Sequence, residues 1–201
     1  MTTAPTSAFA GADLDIATVP AGKPYRRIWL AAYPDPLGYG KGRSRFSDPR
    51  RRIESNRFGV LYLGSSLKVC FLEAILRDQR DGVVGTLPLG RTVLADRAVA
   101  AIVPTRDLRL LDLRGDAPVR MGIPSDVARG TDQKLARAWS AAFHEHPQAI
   151  DGIIYPSRLN GEHNLAIYGR AVPALRCTGT VPLLRAKGLV GVLRDFKVAL
   201  A

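Results

Sequence analysis

The sequence predicts an α+β protein built as one compact domain, on three observations. At 201 residues, 46% of them hydrophobic, the chain is long enough to bury one sizeable core and too short for two domains to be the default. Short apolar runs broken by Gly, Pro and Asp recur through its middle, which is a strand signature. Two other stretches carry apolar residues at helical spacing.

Residues 1–22 are small, polar and punctuated by Pro and Gly. Burial there is not expected to offset the entropy of ordering the chain, so a flexible N-terminal arm is expected. RRIWLAAY (26–33) has the β-branched and aromatic residues of a strand, ended by Pro34, Pro36 and glycines 38, 40 and 42. The loop that follows, to about Asn56, is the most cationic stretch: Lys41, Arg43, Arg45, Arg50, Arg51, Arg52 and Arg57 face only Asp48 and Glu54. FGVLYL (58–63) reads as a short buried strand, Gly64 as a turn, and Ser65 or Ser66 as a helix N-cap. In LKVCFLEAILRD, Leu67, Cys70, Phe71, Ala74 and Ile75 define one helix face. Val69, Leu72 and Leu76 are apolar as well, which leaves Glu73 few solvated positions.

Between Val83 and Leu113, the pieces VVGTLPL, RTVLAD, AAIVP and LRLLDL read as several strands. Ser125 and Thr131 are candidate caps ahead of the stripe Leu135, Ala138, Trp139, Ala142 and Phe143, which predicts a second helix. GIIYP (152–156) and NLAIYG (164–169) read as a strand pair around the polar loop SRLNGEH. The tail VPLLRAKGLVGVLRDF carries no decisive pattern, and no internal repeat or low-complexity block occurs.

A net charge of +11 favours phosphate-bearing or polyanionic partners. Zinc-finger spacing, an RNA-recognition aromatic signature and a helix-turn-helix are all missing, so no direct specific nucleic-acid binding is expected. The markers of P-loop, Rossmann and α/β-hydrolase enzymes are missing too. His144, His146 and His163 form no ligand cluster with cysteines or carboxylates, and no metal is expected. Cys70 and Cys177 each sit in an apolar run, where a reduced, buried thiol is the ordinary state, as in a reducing cytoplasm. The first residues lack a basic stretch followed by an apolar one, and no run of about 18 apolar residues occurs, so no export signal and no membrane span are expected.

A buried, unpaired carboxylate costs several kcal/mol, and with so many arginines nearby a structural ion pair is the first reading of Glu73, a catalytic carboxylate the second. The arginines themselves allow three readings: a solvated surface, the default for Arg50, Arg51 and Arg52; nucleic-acid backbone contacts; or a diphosphate clamp beside glycines. Ser157, at a strand end, reads as a turn or capping residue.

Taken together these motifs resemble the RES-domain family, toxins of bacterial toxin–antitoxin pairs. The resemblance rests on Arg27-Ile28, Arg45-Phe46 after a Gly-rich loop, LYLGSSLKVCFLE with Tyr62 and Glu73, YPS ending in Ser157, and Asn164. It covers about Tyr25 to Pro182, within a RES domain assigned to residues 23–201. Arg26 and Arg27 are adjacent, and either fits the first arginine.

The resemblance implies a compact fold with a mixed or split sheet flanked by helices, similar to ADP-ribosyltransferase toxins. It also implies destruction of NAD+, as substrate, by cleavage of its nicotinamide–ribose bond, with inorganic phosphate or water as acceptor; modification of a protein is the alternative. Arg27, Tyr62, Glu73 and Ser157 then take catalytic roles, and Arg45, Phe46 and Asn164 bind NAD+. The implied partner is a cognate antitoxin with a DNA-binding domain, and self-association as a homodimer is also implied. A basic nucleic-acid-binding or nuclease toxin is the reading from a different class, motivated by charge.

Overall fold

The computed structural model describes residues 4–50 and 53–201. Arg51 and Arg52, expected to be solvated, lie outside them. The main sheet has eight strands: β1 (Ile16–Val19), β2 (Tyr25–Leu30), β3 (Val60–Gly64), β5 (Arg97–Pro104), β6 (Leu108–Asp112), β7 (Gly152–Pro156), β8 (His163–Tyr168) and β9 (Leu175–Pro182). A separate parallel pair joins β4 (Leu87–Leu89) to β10 (Val198–Leu200). The helices are α1 (Leu67–Phe71), α2 (Arg91–Ala95), α3 (Ala117–Arg120), α4 (Asp126–Arg129), α5 (Gln133–Glu145) and α6 (Leu189–Asp195). The α+β class predicted from the sequence is what the chain adopts.

The main sheet runs β1-β6-β7-β8-β3-β2-β5-β9. All its neighbours are antiparallel except β6 and β7. Alternation along the strands divides the core between its two faces. Val60, Ile153, Tyr155, Ala166 and Tyr168 pack with α5 on one side, and Leu61, Leu63, Ile154, Leu165 and Ile167 on the other. A third cluster gathers α1, α2 and α6 over Ile28 and Val99.

One joint in this sheet differs from the rest. β3 pairs with β8 through five residue pairs and β2 with β5 through six, but β2 meets β3 only at Arg26 and Gly64. The sheet is therefore split between β2 and β3. At that joint α1 lies hard against the strand: a Cβ on Gly64 would sit 2.6 Å from Cys70 Sγ and 2.7 Å from Val69 Cγ1. Only glycine permits that approach.

Several expectations are corrected. The N-terminal segment is not a featureless arm: Phe9 is buried edge-on against Trp139 and Val19 is buried where β1 pairs with β6. A few well-placed apolar residues and a strand ladder do what mean composition did not foretell. RTVLAD forms α2 rather than a strand. α5 is capped by Asp132, whose carboxylate accepts from the Lys134 N–H at 2.9 Å, and not by Thr131; Ser125 precedes α4 without a side-chain cap bond. Arg50 is no free surface cation, since it is ion-paired with the buried Asp48 and with Glu145. Cys177 is half-buried rather than buried. The unassigned tail completes β9 and supplies α6.

Candidate active site

The split in the sheet opens a cavity of about 780 Å³. β2 contributes Arg27 and Ile28, and β3 contributes Val60, Tyr62, Leu63 and Gly64. The loop between these strands adds Gly40, Gly42, Arg43, Ser44 and Arg45. The volume lies inside the range of about 300–1,000 Å³ usual for small-molecule sites.

Glu73 enters from a local irregularity. Ser66 caps α1, its hydroxyl accepting from the Val69 N–H at 3.1 Å. Past Phe71 the helix widens into a π turn, Leu72–Leu76, which buries Leu72, Ile75 and Leu76 and leaves Glu73 only partly buried on the cavity wall. Such turns shift the register of everything after them and collect at functional sites. Arg77 closes the turn at φ 34° and also lines the cavity. A non-glycine residue held there costs of order 1–3 kcal/mol.

The carboxylate of Glu73 is held by neutral donors. Ser157 Oγ donates to Oε1 at 2.8 Å and Asn164 Nδ2 donates to the same oxygen at 3.1 Å. Among the described residues no Lys or Arg lies within ion-pair distance of it. The structural ion pair expected from burial is therefore replaced by two hydrogen bonds from neutral groups, which leave its charge uncancelled. Ser157 and Asn164 are themselves buried, at 4% exposure each. Ser157 also makes the predicted turn contact, accepting from the Leu159 N–H at 3.2 Å.

The arginines are mounted on backbone carbonyls. Arg27 Nη1 donates to Pro36 O at 2.7 Å and Gly38 O at 2.6 Å, and Arg45 Nη1 to Gly130 O at 2.8 Å. Burial pulls both guanidinium pKa values down; Asp35 opposes it at Arg27, and at Arg45 Tyr155 opposes it while Arg158 adds to it. Arginine stays charged regardless. Of the adjacent pair, Arg27 lines the cavity and Arg26 does not.

Tyr62 joins the loop to the strand. Its hydroxyl lies 2.8 Å from Ser44 Oγ and accepts the Phe46 N–H at 2.9 Å. Burial raises its pKa, opposed by those two hydrogen bonds, so it is a neutral phenol. Phe46 has no exposed surface, packs edge-on against Tyr155, and is outside the cavity wall. Its ring serves the core and its N–H serves Tyr62. Cys70 faces the cavity, but burial pushes its thiol up to about 12 and leaves it no nucleophile at neutral pH.

Sequence reasoning missed Arg43, Arg77 and Arg158, which also line the cavity. No pattern separates Arg43 from the other arginines of the basic loop, Arg77 falls near the end of the predicted helix, and Arg158 falls in the polar loop SRLNGEH. The five arginines share the wall with two carboxylates, Glu73 and Asp81. The histidines are elsewhere: His144 stacks on Phe58 at 4.2 Å, and His146 is buried against Phe9.

The family model for the RES domain matches residues 22–185. A probable toxin, y4kH, of Sinorhizobium fredii (strain NBRC 101917 / NGR234) is 40% identical over 124 residues, 61% of this chain and 98% of the relative. A chain in the crystal structure of the M. tuberculosis MbcT–MbcA toxin–antitoxin complex shares the fold, with a TM-score of 0.60 at 22% identity over 89% of this chain and 92% of that one. The protein belongs to the RES-domain family.

Proposed function

We propose that this RES-domain protein is the toxin of a toxin–antitoxin pair and destroys NAD+ by breaking its nicotinamide–ribose bond, with phosphate or water as acceptor. The observation that carries the reading is Glu73, an anion held by two neutral donors in an arginine-lined cavity. Loss of nicotinamide leaves positive charge on the ribose. A carboxylate fixed in place, with no cation of its own, stabilises that charge where it develops. Ser157 and Asn164 hold its orientation. Arg27 and Arg45 suit a diphosphate because each donates through Nη1 to backbone carbonyls and neither is in an ion pair among the described residues, which leaves N–H groups for an anion. Tyr62, a neutral ring on the cavity wall, is the surface for the nicotinamide to stack on. Phe46 acts through Tyr62, by its backbone N–H.

The toxin role is supported by family membership and by the toxin name of the Sinorhizobium relative. The partner is a cognate antitoxin, as in the complex that contains the structural neighbour. Among the described residues no helix is long and apolar enough to cross a membrane, which suits a toxin acting in the cytoplasm.

The test follows NAD+ by mass spectrometry with wild-type protein and Glu73→Gln, with and without phosphate. Loss of NAD+ with wild type and none with the variant is expected, and phosphorylated ADP-ribose identifies phosphate as acceptor. A folded wild type that leaves NAD+ intact under both conditions overturns the reading. Label passing from NAD+ to a macromolecule would point to protein ADP-ribosylation at the same site.

A further inference from the structure

The β2–β3 loop carries Arg43 and Arg45 into the cavity, so whatever holds the loop sets where those charges stand. Its ends are tied by polar bonds: Arg27 to the Pro36 and Gly38 carbonyls, and Tyr62 to Ser44 and Phe46. Between them Tyr39 does something different. Its ring, 38% of the residue remaining exposed, lies in the notch left by two glycines at separate strand ends. A Cβ on Gly59 would lie 2.0 Å from Tyr39 Cε2, and one on Gly169 2.7 Å from its hydroxyl oxygen. Neither glycine has a positive φ, so the missing side chain, and not backbone freedom, is what these positions require. The Gly169 N–H donates to the Gly59 carbonyl at 2.9 Å and closes the notch from below.

We propose that Tyr39 is a positioning residue: seated in the Gly59/Gly169 notch, it locks the arginine loop as one wall of the cavity and so sets the affinity for the anionic part of the substrate. The kinetic half of this inference rests on the NAD+ reading; the anchoring half does not. Lys41, Arg43 and Arg45 are trypsin sites within the tethered stretch, which supplies a readout independent of activity.

The experiment compares full-length wild type, Tyr39→Ala, Gly59→Ala and the double variant by limited trypsin digestion and by NAD+ kinetics. Either single change is expected to speed cleavage after Lys41 and Arg43 by about tenfold or more, since local opening governs proteolysis. Each is expected to raise KM more than it lowers kcat, because the loop binds and does not react. In the Tyr39→Ala background, Gly59→Ala should add nothing, as the ring it collides with is gone. Should Gly59→Ala alone fail to fold, folding of the double variant supports the notch. Cleavage within about twofold of wild type in Tyr39→Ala overturns the proposal, as does an undiminished Gly59→Ala effect in that background. Faster cleavage with a wild type that never consumes NAD+ keeps the anchor and overturns the functional reading.

Discussion

Glu73 and the loop arginines line one cavity with opposite charges and are mounted in different ways. Glu73 projects from a π turn whose neighbours are core residues, and both its donors are buried at the ends of β7 and β8. Arg43 and Arg45 ride on a glycine-rich loop pinned at separate points. Glu73 and Arg45 each hydrogen-bond to neutral groups, a pattern opposite to Arg50, which is neutralised by Asp48 and Glu145. On the proposed reading, the contrast separates a cation used for structure from charges kept for a ligand. It also assigns tasks: the rigid wall suits a group that must meet a transition state, and the loop wall suits one that must only hold an anion.

The largest effect should fall on the rigid wall. Glu73→Gln keeps the size and an acceptor for Ser157 and removes the charge, so turnover of NAD+ is expected to fall by about 10²–10³-fold or more. The melting temperature should move little. A turnover equal to wild type in the folded variant would remove the distinction between the walls. Arg45→Ala should lower kcat/KM by about ten- to a hundredfold, carried mainly by KM, because a charge-assisted contact made equally in ground and transition states is lost. An effect confined to kcat would place Arg45 with the rigid wall instead.

Ser157→Ala and Asn164→Ala each remove one bond to the same oxygen. About tenfold apiece in kcat is expected, and more than the product in combination, since either donor alone still holds the carboxylate and the double variant has neither. Full additivity would mean the two act on different groups.

The smallest effect lies away from both walls. Burial first, then Arg170 and Arg50, depress His144 from 6.5 to about 4. A base with a depressed folded pKa binds fewer protons folded than unfolded, so its contribution is intact above pH about 6.5 and is lost as pH falls toward about 4. His144→Phe keeps a ring against Phe58 and should flatten that part of the acid side of the stability curve, as measured by denaturation across this range. An unchanged slope would show that other groups set it.

Much of this was legible in the sequence where one residue class settles the matter. The strands 58–63, 152–156 and 164–169 followed from apolar runs between turn residues, and α5 from its stripe. Arg27, Arg45, Tyr62, Glu73 and Asn164, read from the family's motifs, converge on one cavity, with Ser157 directly behind Glu73. What stayed hidden depends on tertiary contact. No pattern distinguishes Arg43, Arg77 and Arg158 from solvated arginines, because a loop's direction is set by what pins it. The short α2 looked like a strand because five residues cannot display helical periodicity. The N-terminal segment was misjudged because mean composition ignores where a single Phe9 lands.

The joint between β2 and β3 has one consequence for mechanics. With a single residue pair bridging the two halves of the sheet, the backbone ladder that normally resists shear is missing across the cavity. Whatever occupies that gap touches both halves at once and takes over as a keystone. Occupancy should therefore raise the unfolding temperature, growing with the logarithm of ligand concentration once the site is saturated.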